Sequence, residues 1–176
     1  LYLNTNQNFI IMETNFLIFA LAALIPLIMG FIWYGPLLFQ NAWMKQLGFT
    51  EESLKGGNMA LIFILCYVFS FLMAFFLQFI VIHQTGVYSS LMESGATELS
   101  GDALTYFNDF MAKYGTNYRT FKHGALHGTL SGIFFILPVL ATQAMFERKT
   151  VKYVAINAGY WIVTLALMGG IICQWV

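Results

Sequence analysis

The sequence predicts an all-α integral membrane protein, a four-helix bundle with a short amphipathic helix in the connection between spans two and three. Only 9% of its 176 residues are charged, whereas a soluble domain carries about 25%. Four stretches contain no Asp, Glu, Lys or Arg, and each approaches or exceeds the roughly 20 apolar residues needed to cross a bilayer. Backbone groups in lipid must be paired within the protein, and these stretches are too long for barrel strands, so we expect helices.

The candidate spans are named one to four in chain order. They cover residues 16–34, 59–82, 124–146 and 153–175. We expect them to form a single domain, residues 12–176, preceded by a disordered tail, the polar and Asn-rich residues 1–11. Pro26 and Pro138 lie inside spans one and three, where each removes a helical hydrogen bond and predicts a kink.

Span one ends in an aromatic motif that predicts anchors at the membrane interface. Trp33 and Tyr34 lie at its end, where amphipathic rings favour the headgroup level. Pro36 then stops the helix. Trp43, on a short helix that follows, can fold back into the interface. We therefore expect these four residues to hold the first connection at the membrane surface.

The second connection, residues 83–123, is the largest polar region. Asp102 is the predicted N-cap of a helix over residues 103–114, and Gly115 is its predicted C-terminal glycine. Apolar residues recur along this helix at spacings of three and four, which is typical of a helix that lies on a membrane or covers the ends of spans. They are Leu104, Phe107, Met111 and Tyr114.

The distribution of positive charge favours one orientation. Connections one and three, which share a side of the membrane, contain Lys45, Lys55, Arg148, Lys149 and Lys152, whereas connection two contains Lys113, Arg119 and Lys122. The positive-inside rule therefore places both termini outside.

The expected partner is the lipid bilayer. There is no basic cluster to neutralise phosphates, which argues against nucleic acid.

Histidine offers the most specific chemistry in the chain. His83 ends span two, and His123 and His127 open span three, so all three lie on one side of the membrane. His123 and His127 are four residues apart and share a helix face. This spacing suits two ligands of one metal ion, with His83 as a third; haem ligation and proton handling would use the same residues. The interpretation that the sequence favours over these is that the histidines hydrogen-bond to loops and water and bind no cofactor.

Small residues predict a close helix contact. Gly124, Gly128 and Gly132 repeat at every fourth position, which allows another helix to approach span three closely. Ala155 and Gly159 offer a matching small face in span four. We expect this face to pack within the chain; the alternative is contact with a second copy or another membrane protein.

Motifs throughout the chain resemble those of a known family. They are WYGPLLF at 33–39, AWMK at 42–45, GFT at 48–50, HGALHG at 123–128 and NAGYW at 157–161. They resemble an uncharacterised bacterial membrane family, domain of unknown function 1761, from about Met12 to the C-terminus. The resemblance implies four membrane helices in a bacterial cytoplasmic membrane and supplies no catalytic residues.

These observations favour a structural or interaction component of the bacterial cytoplasmic membrane. The alternatives are a protein that binds a metal, haem or small ligand through the histidine cluster, and a small-solute transporter. No span contains Asp, Glu, Lys or Arg, which argues against an ion-coupled pump. No phosphate loop, nucleophile elbow or zincin motif is present, so the sequence favours a protein without enzymatic activity.

Overall fold

The computed structural model describes residues 15–55 and 57–176, and every regular element in this part of the chain is helical. The predicted tail, residues 1–11, lies outside the described residues. The helices are α1 (Phe16–Ala22), α2 (Ile25–Trp33), α3 (Gln40–Leu47), α4 (Met59–Val81), α5 (Gln84–Leu91), α6 (Gly101–Tyr114), α7 (Phe121–Ser131), α8 (Leu137–Phe146) and α9 (Val151–Trp175). A 3₁₀ turn at Ser53–Lys55 and a π-helical turn at Gly132–Ile136 complete the set.

Four helical segments are long and apolar enough to cross a membrane, and they correspond to the predicted spans. They are Phe16–Trp33, Met59–Val81, Phe121–Phe146 and Val151–Trp175. Span three begins three residues earlier than predicted, because the Thr120 hydroxyl accepts the N–H of His123 and caps the helix. His123 and His127 therefore lie in the first two turns of span three.

Both prolines interrupt their spans. Span one breaks between α1 and α2, and Pro26 is the second residue of α2. The Tyr160 hydroxyl of span four donates to the Pro26 carbonyl at 2.8 Å. Span three forms its π-helical turn directly before α8, whose second residue is Pro138. A proline has no N–H to continue the helical ladder, so a local change of hydrogen-bond spacing is expected at both places.

Span four lies at the centre of the bundle. In the most apolar 18-residue stretch of span four, 56% of the stretch is buried, compared with 22% for span one and 17% for spans two and three. It contacts all three other spans. The core around it includes Phe19, Leu77, Val81, Met168 and Ile172, each at most 3% exposed. Large apolar side chains on the other spans face outward, as expected where hydrocarbon surrounds the helices.

The glycine face of span three packs within the chain, against span four. A Cβ added at Gly124 would lie 2.1 Å from the Gly169 carbonyl oxygen. A Cβ added at Gly128 would lie 2.0 Å from the carbonyl oxygen of Leu165. The two backbones therefore touch, and a side chain on either glycine would force the helices apart.

The matching residues in span four differ from those predicted. Gly132 lies over Ile162, whereas Gly159 faces the ring of Trp33 in span one and Ala155 is exposed. Spans three and four run antiparallel, so the start of span three meets the end of span four. Ala155 and Gly159 lie near the start of span four, too far along the helix to meet the glycine face.

Candidate functional site

The three histidines converge where span two ends and span three begins. His83 directly follows α4 and its cap residue, while His123 and His127 occupy successive turns of α7. One ring nitrogen from each lies within 4.8 Å of those from the other two. The Nε2 atoms of His83 and His123 are 2.9 Å apart, a hydrogen-bonding distance. The ring centroids are 4.5–5.0 Å apart.

These distances are compatible with three ligands of one metal ion. Zinc–nitrogen bonds of about 2.0–2.1 Å place tetrahedral ligand nitrogens roughly 3.4 Å apart. That value lies between the 2.9 Å contact and the 4.8 Å limit of the cluster. Small side-chain rotations would therefore bring the three nitrogens into coordinating positions. Three imidazoles would leave the fourth position of a tetrahedral ion open.

The cluster lies at the surface of the bundle and has an aromatic edge. His83 is exposed, and His123 and His127 are half-buried. The Tyr118 ring lies 5.1 Å from that of His123 and 6.3 Å from that of His83. The φ of Tyr118 is 61°, in the left-handed region that bulky residues rarely adopt. This backbone conformation places an aromatic ring beside the imidazoles.

The last turn of span four supports the segments that carry the histidines. Cys173 is fully buried, and its Sγ lies 3.2 Å from the Val81 carbonyl oxygen and 3.3 Å from that of Tyr118. The Arg119 Nε donates to the Cys173 carbonyl at 2.8 Å. Nothing in the local sequence around Cys173 indicates the two carbonyl partners of its thiol, which lie 55 and 92 residues away.

The second connection contains the predicted amphipathic helix and one that was not predicted. The predicted helix is α6, which starts at Gly101, and its N-cap is Ser100 rather than Asp102. Gly115 follows its end with a right-handed φ of −59°, not the left-handed conformation typical of such glycines. Phe107 is 2% exposed, and its ring packs at 5.4 Å against Tyr88 of the unpredicted α5.

Gln84 links the histidine cluster to α6. It directly follows His83 and is only 3% exposed. Its Nε2 lies 3.0–3.1 Å from the carbonyl oxygens that end α6 and begin the next turn, those of Tyr114, Gly115 and Asn117. The amide therefore satisfies carbonyls that the helix leaves without partners.

The four predicted interface anchors lie at the opposite end of the bundle. Trp33 Nε1 donates to a backbone carbonyl of span four at 2.9 Å, and the Tyr34 hydroxyl donates to Asn157 Oδ1 at 2.8 Å. The Tyr34 ring packs 5.2 Å from that of Trp43. Pro36 is exposed in the turn after span one. The motif therefore joins span one to span four, a packing role that sequence analysis did not include.

Replacing Tyr34 by Phe is expected to destabilise the protein by about 1 kcal/mol, because Asn157 loses its donor while the ring is kept. Burial raises the pKa of the Tyr34 hydroxyl well above its usual value, so the phenol remains a donor at neutral pH. Thermal unfolding in detergent measures the change. Tyr106→Phe, at a residue 62% exposed, is the matched control. Equal losses in both variants would contradict the prediction.

The four long apolar helices, three of which pack against the fourth, define a helical membrane protein. The chain matches the family described as protein of unknown function DUF1761 over residues 17–173, and it belongs to that family. The match confirms the resemblance inferred from the motifs, and it includes the histidine cluster and the aromatic motif. No curated protein and no solved structure matches the chain significantly.

Proposed function

We propose that this protein is a multi-pass membrane protein that binds a transition-metal ion through His83, His123 and His127. The observation that supports this function is the convergence of three ring nitrogens within 4.8 Å, from segments forty residues apart in sequence. Imidazole suits zinc, copper, nickel and iron ions, and zinc is the probe we choose. The open fourth position would admit water or a small ligand from the aqueous phase.

A histidine cluster held only by hydrogen bonds is the simpler alternative. The contact between His83 and His123 accounts for two of the rings. Helical spacing brings His127 close to His123, but neither this spacing nor the contact accounts for its approach to within 4.8 Å of His83 as well. The cluster contains no carboxylate, so protonating more than one ring would create unbalanced repulsion. A bound cation accounts for all three positions and favours the neutral rings.

A haem held between two of these histidines is a poorer fit than a single ion. The ring centroids are only 4.5–5.0 Å apart. A porphyrin held by two axial histidines lies between their rings, and this spacing leaves no room for it. The transporter alternative needs a polar path between the spans, whereas the cavity lined by Leu91, Glu93 and Ser100 lies in connection two.

The proposed location is a bacterial cytoplasmic membrane with both termini outside, as the distribution of positive charge indicates. The histidine cluster then faces outward, because connection two lies on the same side as the termini. Protease added to intact cells should cleave connection two but not connection one. The reverse pattern would overturn this orientation.

The glycine face does not favour a role through self-association, because span four covers it.

Metal analysis of the purified protein tests the proposed function. Protein stripped with a chelator and reloaded with zinc is expected to retain about one ion per chain. The double variant His123→Ala plus His127→Ala should retain none, because only one ligand of the cluster is left. The chain has only three histidines, so background from other imidazoles is absent. Lys122→Ala, beside the cluster, is the matched control and should bind normally.

Equal zinc retention in the double variant and the wild type would mean that the ion binds elsewhere and would overturn the site. Absence of zinc, copper, nickel and cobalt binding by the wild type would overturn the metal function and favour a structural role. The cobalt complex adds an independent readout, since its visible spectrum reports the number and type of ligands.

A further inference from the structure

We infer that the last turn of span four positions the metal ligands, and that Cys173 is the positioning residue in that turn. This inference rests on the proposed metal function and states what determines the geometry of the site. Span four contributes no histidine of its own. It nevertheless contacts both segments that carry the ligands.

The Cys173 thiol lies between those two segments. Its Sγ is 3.2 Å from the carbonyl oxygen of Val81, two residues before His83. It is 3.3 Å from the carbonyl oxygen of Tyr118, five residues before His123. A thiol has one proton and is a weak donor, so the two carbonyls share it. Because Cys173 is completely buried, water cannot replace it as the donor.

The same turn also fixes the start of span three. A Cβ added at Gly124, the residue after His123, would lie 2.4 Å from the Cβ of Cys173. The Phe121 N–H donates to Gln174 Oε1 at 3.0 Å. Span three therefore begins in backbone contact with span four and is held there by a hydrogen bond. The distance between His83 and the α7 histidines follows from these contacts.

This arrangement predicts that the geometry of the ligands can change while their number stays the same. Removing the thiol leaves all three imidazoles present. It removes the hydrogen-bond donor shared by the carbonyls of Val81 and Tyr118, which belong to the segments that carry the histidines. Partners outside the coordination sphere typically change metal affinity 10–100-fold when they are removed. We therefore expect a weaker and less regular site that still takes one ion per chain.

The test compares Cys173→Ala with Cys66→Ala, the same substitution at an exposed cysteine in span two. Competition against a chelator measures zinc affinity in detergent-solubilised full-length protein. Cys173→Ala should bind about tenfold more weakly or worse and should change the visible spectrum of the cobalt complex. Cys66→Ala should match the wild type in both. Cys173→Ser, whose hydroxyl can donate to the same carbonyls, should recover most of the affinity and the original spectrum.

Wild-type affinity and spectrum in Cys173→Ala would overturn the inference while leaving the metal function intact. Failure of the wild type to bind any metal would overturn both. If Cys173→Ala does not fold, Gln174→Ala replaces it, because Gln174 is exposed and its loss removes only the hydrogen bond to Phe121. Weaker zinc binding by this variant supports the inference, and unchanged binding overturns it.

Discussion

Gly128→Ala is expected to destabilise the protein by about 3 kcal/mol, the upper part of the usual range for an overpacked core. The added Cβ would lie 2.0 Å from the Leu165 carbonyl oxygen and 2.5 Å from its carbon. These are backbone atoms, which cannot rotate away as a side chain can. Span three must therefore move away from span four, the helix that contacts the other three spans. Denaturation in mixed micelles, followed by helical circular dichroism, measures the loss.

Gly86→Ala is the matched control, because Gly86 is also helical but has nothing within 4 Å of an added Cβ. Alanine there is expected to be neutral or to stabilise α5 by about 0.5–1 kcal/mol, since glycine costs more backbone entropy in a helix. Similar losses in the two variants would show that helix propensity, not contact with span four, determines the effect. Gly128→Ala should also weaken zinc binding, because Gly128 directly follows His127.

Zinc at one hundred times its Kd is expected to raise the free energy of unfolding of the wild type by about 2.7 kcal/mol. The ion binds three side chains that come together only in the folded chain. His83→Ala should abolish most of this gain, because it removes the only ligand outside span three. The expected shift of the melting temperature is about 5–10 °C, at about 2–4 °C per kcal/mol for a chain of this size.

Magnesium is the control ion for this experiment, since it prefers oxygen ligands and should not stabilise a site made of imidazoles. Equal stabilisation of His83→Ala and the wild type by zinc would contradict the prediction. So would stabilisation of the wild type by magnesium. A gain seen with zinc alone and lost with any one histidine would tie the effect to the cluster.

The architecture could be predicted from the sequence because lipid imposes a simple requirement. Long uncharged stretches that must pair their own backbone groups can only be helices or closed barrels, and their length excluded the barrel. The grouping of His83 with His123 and His127 followed from the same topology. Connection two joins the end of span two to the start of span three without crossing the membrane, so both lie on the same side. Their approach to within 4.8 Å depends on packing and could not be predicted.

Features that depend on the register between helices were not predictable. Gly124 and Gly128 were identified as a contact face, but pairing them with Gly169 and Leu165 needs the relative depth of spans three and four. Helix α5 was missed because Gly86 and two serines weaken its helical pattern, although Val87 and Leu91 keep the four-residue spacing. The contacts of Cys173 have no local signal, since its partners lie 55 and 92 residues away.

The central position of span four has a consequence for biosynthesis. Translation delivers spans one, two and three to the bilayer before the helix on which all of them pack has left the ribosome. Until then, the three earlier helices hold only their contacts with one another and with lipid. Final assembly is therefore a post-insertion event, and a ribosome that stalls within span four would leave the imidazoles without the turn that aligns them.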